Sequence, residues 1–131
     1  MSSKLLPKFG PFQILFPGDL ETPAWEAHLR NAAFIAELRN TTILVASHHG
    51  RENGFCQEAF AHLRPQAVVI SDKPVIHDTQ EMVPRYRRAV IGDGIRVTNE
   101  VNRRHVLTTR CDGDILFRIE QDGNYTVTTH A

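Results

Sequence analysis

The run Thr41-Thr42-Ile43-Leu44-Val45-Ala46-Ser47-His48-His49-Gly50-Arg51 constrains this chain more than any other stretch. Its β-branched and apolar residues show no polar alternation and stop abruptly at a glycine, the pattern of a strand buried on both faces. Two adjacent imidazoles at the end of such a strand lie at the rim of a sheet, where ligand sites are usually built. Alone, they are equally well a pair of loop histidines without a role. A second stretch tips the balance: Phe12-Gln13-Ile14-Leu15-Phe16-Pro17-Gly18-Asp19 is another apolar run that ends, through a glycine, in a carboxylate. Two strands that deliver Asp19 and a histidine from their ends supply the donor types a divalent metal takes. Asp19 and one of the two histidines, His48 or His49, are therefore expected together at one edge of a sheet, although a turn aspartate after glycine is also common.

A chain of 131 residues is material for one domain with one modest core, spanning 1–131 with 1–11 as an irregular lead-in. Lysine plus arginine equals aspartate plus glutamate at 15 each, which argues against a general polyanion-binding surface while leaving room for a local basic patch. No apolar run approaches the roughly 20 residues that cross a bilayer. Met1 to Gly10 has no long apolar core and does not read as a secretory signal. Cys56 and Cys111 are far apart and outside any C-x-x-C spacing, so no disulfide framework is expected and a reducing cytoplasm is the default. Of seven histidines, only His48 and His49 cluster.

Taken in order, a strand over Phe12–Phe16 turns at Pro17-Gly18. Thr22-Pro23 then reads as a helix cap and first position. Trp25, Leu29, Ala32, Ala33 and Ala36 recur at helical spacing as a core face, with 31–40 either a second helix or a continuation. After the His-His strand, Arg51–Gly54 is a loop, and Cys56–Leu63 is a short helix with Ala59, Phe60 and Leu63 inward and His62 solvated. Ala67–Ile70 is a second fully apolar strand ending in Ser71-Asp72. Strand, helix, strand in this order makes a βαβ unit with parallel pairing. Gln80–Ile91 is a helix whose Arg85, Arg87 and Arg88 form a solvated basic face. The remainder is β-rich: short strands at 96–99 and 106–109, hairpin turns at Asp112-Gly113 and Asp122-Gly123, and strands at 115–119 and 125–129. Helices on one face of a mixed sheet would leave Ile14, Leu15, Val45, Val68 and Ile70 with more apolar surface than one helical layer covers, which favours a dimer or a complex.

Three segments carry a family resemblance: Leu15–Glu21 with Trp25, Val45–Arg51, and Arg64-Pro65-Gln66-Ala67-Val68-Val69-Ile70-Ser71. Their order and spacing resemble the second half of a metallo-β-lactamase-fold hydrolase, in the branch of the competence DNA-uptake (ComEC-like) proteins, over about residues 12–119. The resemblance implies an α/β fold that is half of an αββα sandwich, with a dinuclear zinc site between its sheets. It implies that Asp19 bridges two zinc ions, with manganese as the alternative metal, and that His49 ligates one. Cations held this way acidify a shared water into a nucleophile. His48 is implied as catalytic support, and His77 as the residue placed to help an oxyanion or phosphate.

The family's first half carries an H-x-H-x-D-H segment that supplies most of the ligands, and this chain has none: His28 stands alone and His48-His49 are adjacent. Asp19 and one histidine fall short of the about four donors zinc takes. The expected partner is thus the missing N-terminal half or a second chain, whether the sequence is one half made separately, a split gene or a half that pairs. Two functions lead, with a mononuclear metal-binding protein as a third. One is a metal-dependent phosphodiesterase or nuclease, active on nucleic acid or nucleotides once completed. The other is a non-catalytic half-domain that binds or assembles.

Overall fold

The computed structural model describes residues 5–72 and 79–130. Lys8–Phe9 (β1) pairs antiparallel with Phe12–Leu15 (β2). β2 is followed across the sheet by Ile43–Val45 (β3), Ala67–Ile70 (β4) and Val106–Thr108 (β5), each parallel to its neighbour. The sheet is mixed, as expected, but its antiparallel member falls in the stretch 1–11 expected to be irregular. Leu5 also bridges Phe16.

Period-two geometry sends successive residues of these strands to opposite faces. Leu15, Leu44, Val68, Ile70 and Val106 enter one core, while Phe12, Ile43, Ala67 and Leu107 enter another. Burial on both sides is why the strands read as unbroken apolar runs.

Thr22–His28 (α1), Ala32–Leu38 (α2) and Thr79–Ala89 (α3) cover the first core through Trp25, Leu29, Phe34, Leu38, Met82, Tyr86 and Ala89. Between β3 and β4 the crossover is made of tight turns at Glu52–Gly54 and Gln57–Ala61, with Ala59, Phe60 and Leu63 inward. His62 at its end is half-buried, not solvated. Two local expectations change. Asn31 Oδ1 accepts from the amides of Ala33 (2.9 Å) and Phe34 (3.3 Å), which starts a new helix and resets the periodicity. Phe34 and Leu38 are consequently buried, while Ala32, Ala33 and Ala36 face solvent. Thr22 lies inside α1, with Glu21 at the cap position.

The opposite face is not bare. After β5, a helical turn at Thr109–Asp112 (α4) leads into Asp114–Ile119 (β6), which pairs antiparallel with Tyr125–His130 (β7). This hairpin lies across the sheet: Phe12 meets the rings of Tyr125 and Phe117 at centroid distances of 4.7 and 6.5 Å, and Ile95, Val97 and Val127 are buried beside them. Of the residues that suggested a dimer, Leu15, Val68 and Ile70 lie in the core under the helices, and the opposite face, with Ile14, is covered by the chain's own C-terminal region. Asp112-Gly113 is no hairpin turn, because β5 and β6 belong to different sheets, whereas Asp122-Gly123 does join β6 to β7. Residues 96–99 form no strand; Val97 makes a single bridge to Val127.

Candidate functional site

Parallel pairing puts the C-terminal ends of β2, β3, β4 and β5 at one edge, and the loops leaving them are bonded in series. The His48 amide donates to the Gly18 carbonyl (2.9 Å), joining the β2 and β3 loops. His49 Nδ1 lies 3.0 Å from the Ser71 carbonyl, joining β3 to β4. Beyond it, the Asp72 amide donates to Thr109 Oγ1 (2.8 Å), and the Asp72 carboxylate accepts from the Arg110 amide (2.9 Å) and Nε (3.1 Å), joining β4 to β5. Asp72 is thereby committed to structure, with a side chain 5 % exposed.

Backbone conformation marks the histidines out. His48 (φ 51°, ψ 45°) and His49 (φ 56°, ψ 29°) both lie in the left-handed region, and Gly50 follows at φ 75°. For an L-residue this conformation costs roughly 1–2 kcal/mol, and such residues normally occur singly. Gly50 is required for a second reason: a Cβ there would approach Ile70 Cγ2 to 2.6 Å. Backbone strain held by surrounding bonds, as in the His48–Gly18 contact, clusters at ligand and active sites.

Beneath the turn is a rigid floor. Ser47 is 1 % exposed, and its hydroxyl bonds the Leu20 carbonyl. The Trp25 indole N–H donates to the Gly54 carbonyl (3.1 Å), and Thr22 Oγ1 donates to the Phe55 carbonyl (2.7 Å). Gly54 presses against Ser47 so closely that any side chain there would collide with it. Above this floor, Asn53 Oδ1 lies 2.6 Å from His48 Nδ1, and Asn53 Nδ2 donates to Glu21 Oε1 (3.3 Å).

A cleft of about 440 Å³ opens alongside, lined by Thr22, Glu26, Glu52, Phe55, Cys56, Gln57, Glu58 and Arg85. Arg85, exposed like Arg87 and Arg88, stacks over the Phe55 ring at 4.3 Å. Three glutamates against one guanidinium make the cleft a poor seat for a phosphate.

Asp19 is exposed in the loop after β2, one residue beyond the carbonyl that His48 binds; His48 is half-buried and His49 exposed. His77 lies outside the described residues. Among those residues, no three of histidine, cysteine, aspartate and glutamate come together in a group that could hold a metal ion. Asp19, His48 and His49 do not by themselves fit a zinc ion, which needs further donors. Sequence reasoning missed Glu21 and Asn53, because their link to His48 depends on a left-handed backbone that no spacing reveals. Asn-Gly at 53–54 signals only a turn.

No family model, curated protein or solved structure matches the chain significantly.

Proposed function

We propose that the chain is the C-terminal half of a metallo-β-lactamase-fold hydrolase of the ComEC-like branch, a phosphodiesterase or nuclease active when an N-terminal half or second chain completes it. The observation that carries this reading is the junction of the Gly18-Asp19 turn with the strained His48-His49-Gly50 turn, made through the 2.9 Å bond from His48 to Gly18. It brings a carboxylate loop and an imidazole loop side by side at the edge where α/β sheets place their ligands. In this reading Asp19 and His49 contribute to a two-zinc centre whose other donors come from the partner, His48 supports the chemistry, and His77 assists the phosphate. With the sheet face covered by β6 and β7, the case for a partner rests on the incomplete donor set alone.

A second reading is a non-catalytic assembly module. Metal analysis of the completed assembly, purified without chelator, divides the two. Bound zinc or manganese together with metal-dependent phosphodiester hydrolysis, both lost in Asp19→Ala, supports the hydrolase. An assembly without metal, or an Asp19→Ala assembly with full activity and full metal content, leaves the module. Among the described residues no helix is long and apolar enough to cross a membrane, and a cytoplasmic setting is part of the proposal.

A further inference from the structure

We propose that Glu21 and Asn53 are positioning residues that fix His48 in a single tautomer, protonated on Nδ1, with the lone pair of Nε2 left available for chemistry. The direction follows from donor and acceptor chemistry along the chain of bonds. The Glu21 carboxylate only accepts, so the Asn53 amide must turn its NH2 toward it, across 3.3 Å. That orientation leaves the amide oxygen facing His48 Nδ1 at 2.6 Å, and a carbonyl oxygen can only accept. Nδ1 must therefore carry the proton. In a neutral ring the other nitrogen is then bare, and no group among the described residues hydrogen-bonds it.

The arrangement is built in advance. The Asn53 carbonyl lies 3.2 Å from the Thr22 hydroxyl, and the next residue, Gly54, is clamped between the Trp25 indole and the Arg51 carbonyl, to which its own amide donates at 3.0 Å. On the other side, the left-handed backbone of His48 is held to Gly18. Both ends of the Asn53–His48 bond are thus anchored by the main chain, which makes the amide an orienting group and not a chance surface contact. An imidazole that donates one N–H to an oriented oxygen presents its second nitrogen in a defined direction, the usual way proteins ready a histidine for proton transfer or ligation.

The use of that nitrogen rests on the catalytic reading of His48 above; the tautomer does not. The test is therefore made first on the chain itself. With ¹⁵N-labelled histidine, at a pH where imidazole is neutral, the ring nitrogens of His48 distinguish the two tautomers. The wild-type chain should show a protonated Nδ1 and a bare Nε2. Asn53→Leu should shift the population toward Nε2–H, which an unconstrained imidazole prefers in water. The double variant Glu21→Gln with Asn53→Asp should restore the wild-type pattern, because the carboxylate then faces His48 and the glutamine amide faces the carboxylate. Asn53 is exposed, so folding is not at stake, and the same spectra report it. A His48 that stays protonated on Nδ1 in Asn53→Leu, or that is Nε2–H in the wild type, overturns the proposal. In the completed assembly, Asn53→Leu should lower the rate by roughly 10–100-fold, the usual effect of losing an orienting partner, with recovery in the double variant. A tautomer that switches without any change in rate leaves the positioning role standing and removes His48 from the proposed chemistry.

Discussion

The main-chain N–H of His48 donates to the carbonyl of Gly18 across 2.9 Å, and this one bond sets the loop of the second strand against the loop of the third. His48 can offer its amide there because its backbone is left-handed, and His49 and Gly50 continue that turn. Contact between the Gly18-Asp19 loop and the histidine turn is thus a property of the main chain, bought with unfavourable φ values.

The strain can be measured. His49→Gly and His49→Ala both remove the imidazole and its bond to Ser71, but only glycine relieves a φ of 56°. The glycine variant should be the more stable of the two by about 1 kcal/mol in urea melts, the left-handed penalty of an L-residue. Equal stabilities would mean that the turn is relaxed.

A second outcome concerns the hairpin. Phe12 is 1 % exposed and bridges the sheet to Tyr125 and Phe117. Phe12→Ala should lower stability by about 3–5 kcal/mol, the range for a buried aromatic. Hydrogen exchange should rise in β6 and β7 before it rises in β3 and β4. Uniform loss of protection would show that the hairpin is not a separable cover.

Asp72 should matter for stability as well as for the site. Its carboxylate sits 3.1 Å from Arg110 Nε, with the two side chains 5 % and 18 % exposed. Removing one partner of a well-buried pair costs about 3–5 kcal/mol; because Arg110 keeps some solvent, roughly 2–4 kcal/mol is expected for Asp72→Ala. Thermal melts of Asp72→Ala and Arg110→Ala give the values, and a loss under 1 kcal/mol in both would make the link ornamental. Ser71, whose carbonyl holds His49, precedes Asp72 directly, so the same variant should loosen His49.

Much of the sheet was legible because strands buried on both faces leave unbroken apolar runs. Ile43–Val45 and Ala67–Ile70 needed no long-range information, and Pro17-Gly18 placed Asp19 past a strand end. The helix pair was misread at Ala32, Ala33 and Ala36, where one polar side chain, Asn31, caps a new helix and rotates the inward face. The role of β6 and β7 was invisible for a different reason: their alternation fits any half-buried hairpin, and only the tertiary contact of Phe12 with Tyr125 says which surface they cover. At the site the residue types were readable, but the Glu21–Asn53–His48 link was not, because it exists only once two histidines adopt a backbone that most residues avoid.

The alkaline limb of stability tests the first core. Burial raises the Tyr86 phenol well above its usual value, and burial also raises the Cys56 thiol; these residues line one small buried void with Trp25 and Phe60. Both groups are neutral when protonated, so a raised folded-state value means that the folded state holds its proton more tightly than the unfolded chain does. The sign follows by linkage: the contribution is fully present below the unfolded values, about 8.5 for a thiol and about 10 for a phenol, and is lost as pH rises beyond them. Stability measured in urea should accordingly be flat with respect to these groups near neutrality, begin to fall above about pH 8.5, and fall more steeply above about pH 10. Tyr125 is raised by burial too and adds to the upper part of the limb in the same direction. Tyr86→Phe keeps the ring that packs edge-on against Phe55 at 5.0 Å while deleting the proton, so it should flatten the steeper part of the limb; Cys56→Ala should remove the earlier part. An alkaline limb that is unchanged in Tyr86→Phe would show that the phenol is not the group whose ionisation opens the helical core.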